Sequence, residues 1–405
     1  MFPTISTTTA APANPCRRDD TSHTVPLAPE SSTLFTRSIH RPTGVESWVL
    51  ARGAAPVQQS FYYTHPSFSD EGRFLWLGCG FPPLGGKQVR QTLGVVDFVA
   101  DELRVCADAR FTSSRPWIDL ATGTAYWCDH YEIWRLGPLA TDTATRVGAV
   151  APDLIPGRLE QLATHPTFSA DHKSFNLDAR IIGQDGGVVS YLGDMPVNGG
   201  AFRVWQAFED RTCNHALFSP VDPNLQLFAH EYWHDQDRAG VPFDGSTPYH
   251  RMWLLRRDGQ AEPLLEAPVT HGGHEWWSAD GRHIWYLHYG VGVKKVSLAT
   301  REETLVWAGN LSHAHASRDG RYLVADRMDN PSNAECNVLF FDTRTGREIE
   351  IVNRPPLSAN AVRCVHLHPH PQFCLHDRYI CYTTWVHDRV DVALVSVEDL
   401  IARIA

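Results

Sequence analysis

Three features of the sequence predict an all-β chain folded as a single seven-bladed β-propeller with four-stranded blades, closed by an N-terminal strand. They are a composition rich in aromatic and turn residues, a repeat of blade length, and an N-terminal segment that can complete the last blade. The 405 residues include 29 Gly, 27 Pro and 13 Trp, and 11% are aromatic, which suits many short strands punctuated by turns. Length alone allows several ordinary domains or one large all-β domain. The repeat decides between them.

The blocks THPSFSDEGRFLW (64–76), THPTFSADHKSFNL (164–177), NHALFSPVDPNLQLF (214–228), GHEWWSADGRHIWYL (273–287), SHAHASRDGRYLVA (312–325) and HPHPQFCLHDRYICY (368–382) share one layout. Each has a histidine, an aromatic or small residue three positions on, a Ser/Asp/Gly turn and an apolar strand. A weaker copy, RPWIDLATGTAYWC (115–128), centres on Trp117. Equivalent points at Phe68, Trp117, Phe168, Phe218, Trp277, Ala316 and Phe373 recur roughly every 50 residues, the length of a propeller blade. Seven copies predict seven blades. LFFDTRTGREIEIV (339–352) and MWLLRRDGQAEPLL (252–265) read as third and fourth strands joined by turns. After the seventh copy only VDVALVSVEDL (390–400) remains, so SWVLARG (47–53) is predicted to supply the missing outer strand. Two separate β domains are disfavoured because no linker interrupts the repeat. Residues 1–35, rich in Ser, Thr, Pro and Ala, read as a flexible arm or surface strap, and 36–405 as the propeller.

The net charge of −10 and scattered basic residues argue against nucleic acid as a partner. No apolar run reaches the roughly 18 to 20 residues that span a membrane. The nine cysteines lie far apart with no C-x-x-C pair, as expected of buried thiols in a reducing compartment. MFPTISTTTAAPANPCRRDD lacks the basic and apolar regions of a secretion signal. A cytoplasmic protein is the expectation; the oligomeric state has no signature.

In a propeller the first strand of each blade lines the central channel. The repeat therefore brings His65, His165, His215, His274, His313 and His370 from six blades to one mouth of that channel. For His65, His165 and His215 a strand-capping role is the simpler reading. In HLHPHP, by contrast, His366, His368 and His370 alternate, which puts them on one face of an extended strand, and His313 and His315 do the same one blade earlier. Such imidazoles form a nitrogen-donor set for Mn, Fe, Ni or Zn, with His313, His368 and His370 as the expected ligands.

HEYWH (230–234) matches the zinc-peptidase pattern H-E-x-x-H. That chemistry needs a helix, whereas NLQLFA (224–229) reads as a strand and DQDRAGVPFDGSTP (235–248) as a loop. No G-x-S-x-G or other nucleophile signature is present. Trp276 and Trp277 read as core residues.

Residues from about 214 to 400 resemble the oligogalacturonate lyases, seven-bladed propeller enzymes of pectin catabolism; the N-terminal half matches mainly in repeat layout. HPHPQF (368–373) is similar to the family's HPHPSF, GHEWWSADG (273–281) to its H-E-F/W-F/W block, SHAHASRDG (312–320) to its S-H block and RMWLLRRDG (251–259) to its R-I-W block. The resemblance implies that His313, His368 and His370 bind manganese, that His274 is the catalytic base and that Arg251 meets a substrate carboxylate or the transition state. The segment after His230 resembles the family's H-E-G-P-W, which implies that His230 borders the substrate pocket. Where the family has a glutamine three residues before the position of His368, this chain has Val365. Either His366 replaces that donor or a water does.

The implied reaction is β-elimination on a uronate-containing oligosaccharide. The C5 hydrogen beside the carboxylate is removed, the C4 glycosidic oxygen leaves and a 4,5-unsaturated product forms. A divalent ion and an arginine would stabilise the enolate-like charge, while a histidine base titrates near working pH. Tyr249, Tyr232 or a metal-bound water are the candidates for the leaving-group acid. Two alternatives stand beside this reading: a lyase of another uronate glycan, and a propeller scaffold that binds without turnover.

Overall fold

The computed structural model describes residues 29–81, 90–111, 115–150, 157–184, 186–231, 249–269, 271–330, 335–354, 368–385 and 389–405. Within them, seven antiparallel sheets follow one another along the chain as the blades of a propeller. Blades one to six span 57–111, 117–149, 158–208, 213–263, 272–308 and 314–354, each with four strands in sequence order. The weak copy at Trp117 does open a blade, with an inner strand of only Trp117–Ile118.

Blade seven is assembled from both ends of the described chain. Its inner three strands are Gln372–Cys374, Tyr379–Thr384 and Asp391–Ser396. Val45–Leu50 pairs antiparallel with the last of these, placing Trp48 opposite Leu394 and Val49 opposite Ala393. The strand predicted to close the ring is therefore present. A fifth strand, Phe35–His40, pairs outside it and was not expected. Its burial pattern is mostly exposed, with Ile39 47% accessible, so the alternation that would announce a strand is weak. The C-terminal residues also differ from expectation. Val397–Ile404 form a helix capped by Ser396, whose side chain accepts a hydrogen bond from the Asp399 amide, and Val397, Leu400 and Ile404 are buried. A spacing of three and four residues marks this turn of chain as helical.

The apolar core consists of wedges between consecutive blades. Leu192, Trp205 and Phe208 of blade three pack on Ala216, Phe218 and Phe228 of blade four, and a similar cluster fills each of the other interfaces. Leu77, Val96, Val392 and Leu394 share the wedge between blades one and seven, so the ring closes by burial as well as by strand pairing. Cys79, Cys106, Cys128, Cys213, Cys374 and Cys381 are buried free thiols. No helix among the described residues is long and apolar enough to cross a membrane.

Candidate active site

The inner strands are distorted at the mouth where the histidines lie. In blade four the pairing passes from Asn214–Ala229 to Leu217–Leu227, leaving His215 and Ala216 opposite Phe228 alone. In blade five it passes from Gly273–Leu287 to Trp276–Trp285, leaving His274 and Glu275 opposite Tyr286. Two residues facing one is a β-bulge, which re-aims a side chain. His215, His274 and His370 adopt the left-handed region, with φ of 51°, 52° and 44°, a backbone state that histidine enters more readily than most side chains.

Blade one carries the largest distortion. Gln59 pairs with Gly78 and Phe68 with Leu75, so the intervening stretch 60–67 bulges inward. Blade seven anchors it: Ser67 N–H donates to Gln372 Oε1 at 3.0 Å and the Ser60 amide donates to Thr383 Oγ1 at 3.0 Å. The bulge carries Tyr62 into the centre of the mouth. Its ring centroid lies 4.6 Å from that of His165, 4.8 Å from His370, 5.7 Å from His313, 5.9 Å from His215, 6.2 Å from His65 and 6.3 Å from His274. The six histidines thus surround one tyrosine. Beyond Tyr63, Phe68, Trp277, Ala316 and Phe373 line a cavity of about 240 Å³ toward the other end of the channel.

His313, His368 and His370 each present one ring nitrogen, and these atoms lie within 4.8 Å of one another. His313 Nδ1 faces both Asp326 carboxylate oxygens at 3.0 and 3.1 Å, the kind of partner that orients a ligating imidazole through its other nitrogen. The same carboxylate receives the amides of His313 at 2.8 Å and His370 at 3.4 Å. Burial holds His313 well below the ordinary histidine pKa, with His368 adding to the effect, and lowers His368 as well. Neutral imidazoles backed by a carboxylate suit a divalent transition ion in donor type. His315 does not join them. Its Nδ1 accepts the Phe373 amide at 3.0 Å and its ring lines the cavity beyond Tyr63, because His313 precedes the inner strand Ala314–Ala316 while His315 sits within it.

His274 stands beside the group, its ring centroid 4.0 Å from that of His313. Nδ1 contacts the Ser312 carbonyl and lies 2.8 Å from the Tyr289 hydroxyl. Donation to the carbonyl puts the proton on Nδ1 and leaves Nε2 as the basic atom. Burial, followed by His313 and His215, holds its pKa well below the ordinary value, so it is neutral at pH 7.

Arg251, immediately before the third strand of blade four, is only 4% accessible. Its Nε and Nη2 donate to the two oxygens of Glu275, the latter at 3.4 Å, and Nη1 donates to Glu231 at 3.1 Å. Glu275 also faces His215 Nδ1 at 3.5 Å, and Glu231 accepts from Asn214 Nδ2 at 3.3 Å. Although burial opposes it, the Arg251 charge and His215 hold the Glu275 pKa far below the usual carboxylate range. His230 is the last residue of its strand, half-buried, with its ring edge-on to Tyr249 at 5.5 Å. Its backbone is extended there, not helical. Tyr232, His234, Val365 and His366 lie outside the described residues.

The repeat and the motifs point to the imidazoles and Arg251 but not to their partners. Glu231 and Glu275 each follow a highlighted histidine, in HEYWH and GHEWW, and that doubled His-Glu step was the available signal. Tyr62 precedes the THPSF block by two residues. Asp326 and Tyr289 had no local signal.

Fold and site together define a seven-bladed propeller with a carboxylate-backed histidine cluster at one mouth. The chain resembles the oligogalacturonate lyases. It is 26% identical over 213 residues to the oligogalacturonate lyase of Dickeya dadantii (strain 3937), covering 47% of this chain and 51% of the relative. It is also 26% identical over 211 residues to the oligogalacturonide lyase of Pectobacterium atrosepticum, with the same coverage. The matched region thus spans about half the length of these curated relatives. No protein-family model matches. Among solved structures, an oligogalacturonate lyase in complex with manganese superposes with a TM-score of 0.69 at 18% identity, covering 89% of this chain and 96% of that one. The oligogalacturonate lyase of Vibrio parahaemolyticus gives 0.71 at 17% identity, covering 90% and 97%. The structural likeness thus covers more of this chain than the sequence match does.

Proposed function

We propose that the protein is a metal-dependent lyase that cleaves uronate-containing oligosaccharides, oligogalacturonates first among them, by β-elimination. The observation that carries this reading is the placement of a neutral, singly oriented histidine, His274, against a three-histidine donor group at one channel mouth. The likeness to lyases, one of them a manganese complex, supports it.

His313, His368 and His370 would hold the ion, manganese by analogy, with zinc, nickel or iron also compatible with nitrogen donors. When bound, such an ion supplies Lewis-acid stabilisation of the charge that gathers on a uronate carboxylate. His274 Nε2 takes the C5 proton. The C5–H electrons form the C4=C5 double bond, the C4–O bond breaks and its electron pair leaves with the glycosidic oxygen, which then takes up a proton. Arg251 acts as a positioning residue: by clamping Glu275, the neighbour of His274 in the bulge, it fixes the direction of the base. His230, its ring edge-on to Tyr249, would border the substrate.

The test is to incubate the purified protein with short galacturonate oligomers and Mn²⁺ and to follow ultraviolet absorbance of unsaturated products. Absorbance should rise, stop with chelator and return with Mn²⁺. Saturated products alone would remove the lyase reading, and indifference to chelator would remove the metal. Because Val365 departs from the family pattern, other uronate glycans belong in the same panel.

A further inference from the structure

Arg251 is the guanidinium that the resemblance to the lyases assigns to an acidic substrate, yet three of its N–H donors already go to Glu231 and Glu275. A second guanidinium reaches the same mouth. Arg115 comes from blade two, which adds no histidine to the ring, and lies two residues before the inner strand Trp117–Ile118. Its Cζ is 5.7 Å from the centroid of Tyr62, the ring that the six histidines surround.

Arg115 is partly buried, and burial lowers its pKa, with Tyr62 as the opposing influence and no carboxylate acting on it among the described residues. After burial itself, its charge is among the causes that depress His65 and His165. The cation therefore stands against the tyrosine at the centre of the histidine ring. A guanidinium cannot relieve its own burial by losing a proton, and an unpaired buried charge is costly. The neighbouring carboxylates are committed elsewhere: Asp326 to His313, Glu231 and Glu275 to Arg251.

We propose that Arg115 receives the carboxylate of the acidic sugar, pairing with it at the channel mouth. This rests on the lyase reading above. Arg251 then organises the base, while Arg115 selects for the charged form of the substrate. A planar, bidentate donor pair matches a carboxylate in shape as well as charge.

The experiment compares digalacturonate with its neutral methyl ester, titrated by calorimetry into Mn²⁺-loaded wild-type protein, R115Q and R115K. Wild type should prefer the acid. R115Q should lose roughly 10- to 100-fold in affinity for it, the range for a hydrogen bond to a charged group, and bind acid and ester alike; R115K should recover part of the preference. Bound manganese should be unchanged in R115Q, and its thermal midpoint should equal or exceed that of wild type, since no internal ion pair is broken. An R115Q protein that keeps its preference for the acid overturns the proposal, and so does one with a lowered midpoint, which would make Arg115 structural. Wild-type protein that neither binds nor cleaves any uronate removes the lyase reading and this inference together. Wild type that cleaves, with R115Q unchanged, removes this inference alone.

Discussion

His274 combines two properties that pull in different directions. Its φ of 52° is a strained state for a residue with a Cβ, by about 1 to 2 kcal/mol, yet the bulge that imposes it aims the ring at the donor group. Glycine relieves that strain and removes the ring, so the two contributions can be separated. Both H274G and H274A should lose roughly 100- to 10,000-fold in turnover, as for a missing general base, with bound metal unchanged. H274G should nevertheless unfold at higher urea than H274A. Equal stabilities would mean that the left-handed turn costs nothing here. Glu275 behaves differently because it is 1% accessible and clamped by Arg251. Glu275→Gln leaves that guanidinium paired only with Glu231 and should cost about 3 to 5 kcal/mol in urea unfolding, as for a broken buried ion pair. A change below 1 kcal/mol would mean that Glu231 alone compensates Arg251. The histidines were legible in the sequence because the repeat carries each of them at the same step. Their partners were not, because Asp326, Tyr289 and Tyr62 reach them through pairing and packing that no local spacing encodes.

At the scale of elements, the blades were legible because each must bury the same two faces against its neighbours, which forces a common layout on the sequence. The bulges were not, since a register shift is a property of two strands and leaves no mark on either alone. The fifth strand of blade seven illustrates the limit from the other side: Phe35–His40 buries too little to show alternation. The two outer strands of that blade should differ sharply in their tolerance of charge. Val49, 1% accessible and opposite Ala393, lies in the wedge shared with blade six. Val49→Asp places an unpaired carboxylate there and should cost several kcal/mol in urea unfolding. Ile39→Lys on the exposed fifth strand should stay within about 0.5 kcal/mol. If both were neutral, the N-terminal strand would not be closing the ring.

For the whole molecule, collecting imidazoles from six blades makes the ring sensitive to acid. Burial lowers the pKa of His65 to about 3, and depresses His165, His274 and His313 as well. An unfolded histidine titrates near 6.5. Between about pH 6.5 and 3, His65 therefore binds a proton in the unfolded chain and not in the folded one. Since stability rises with pH wherever the unfolded state holds more protons, this contribution is complete above pH 6.5 and is lost as pH falls. Other groups titrate in the same range, so the informative quantity is a difference. His65→Asn removes the titration while keeping a polar side chain of similar reach. The stability gap between wild type and H65N, measured by urea unfolding, should be constant above pH 7 and shift against wild type by about 2 kcal/mol on going to pH 5. Parallel curves over that interval would mean that His65 takes up its proton without unfolding, which a residue with no exposed surface can do only if the ring opens first.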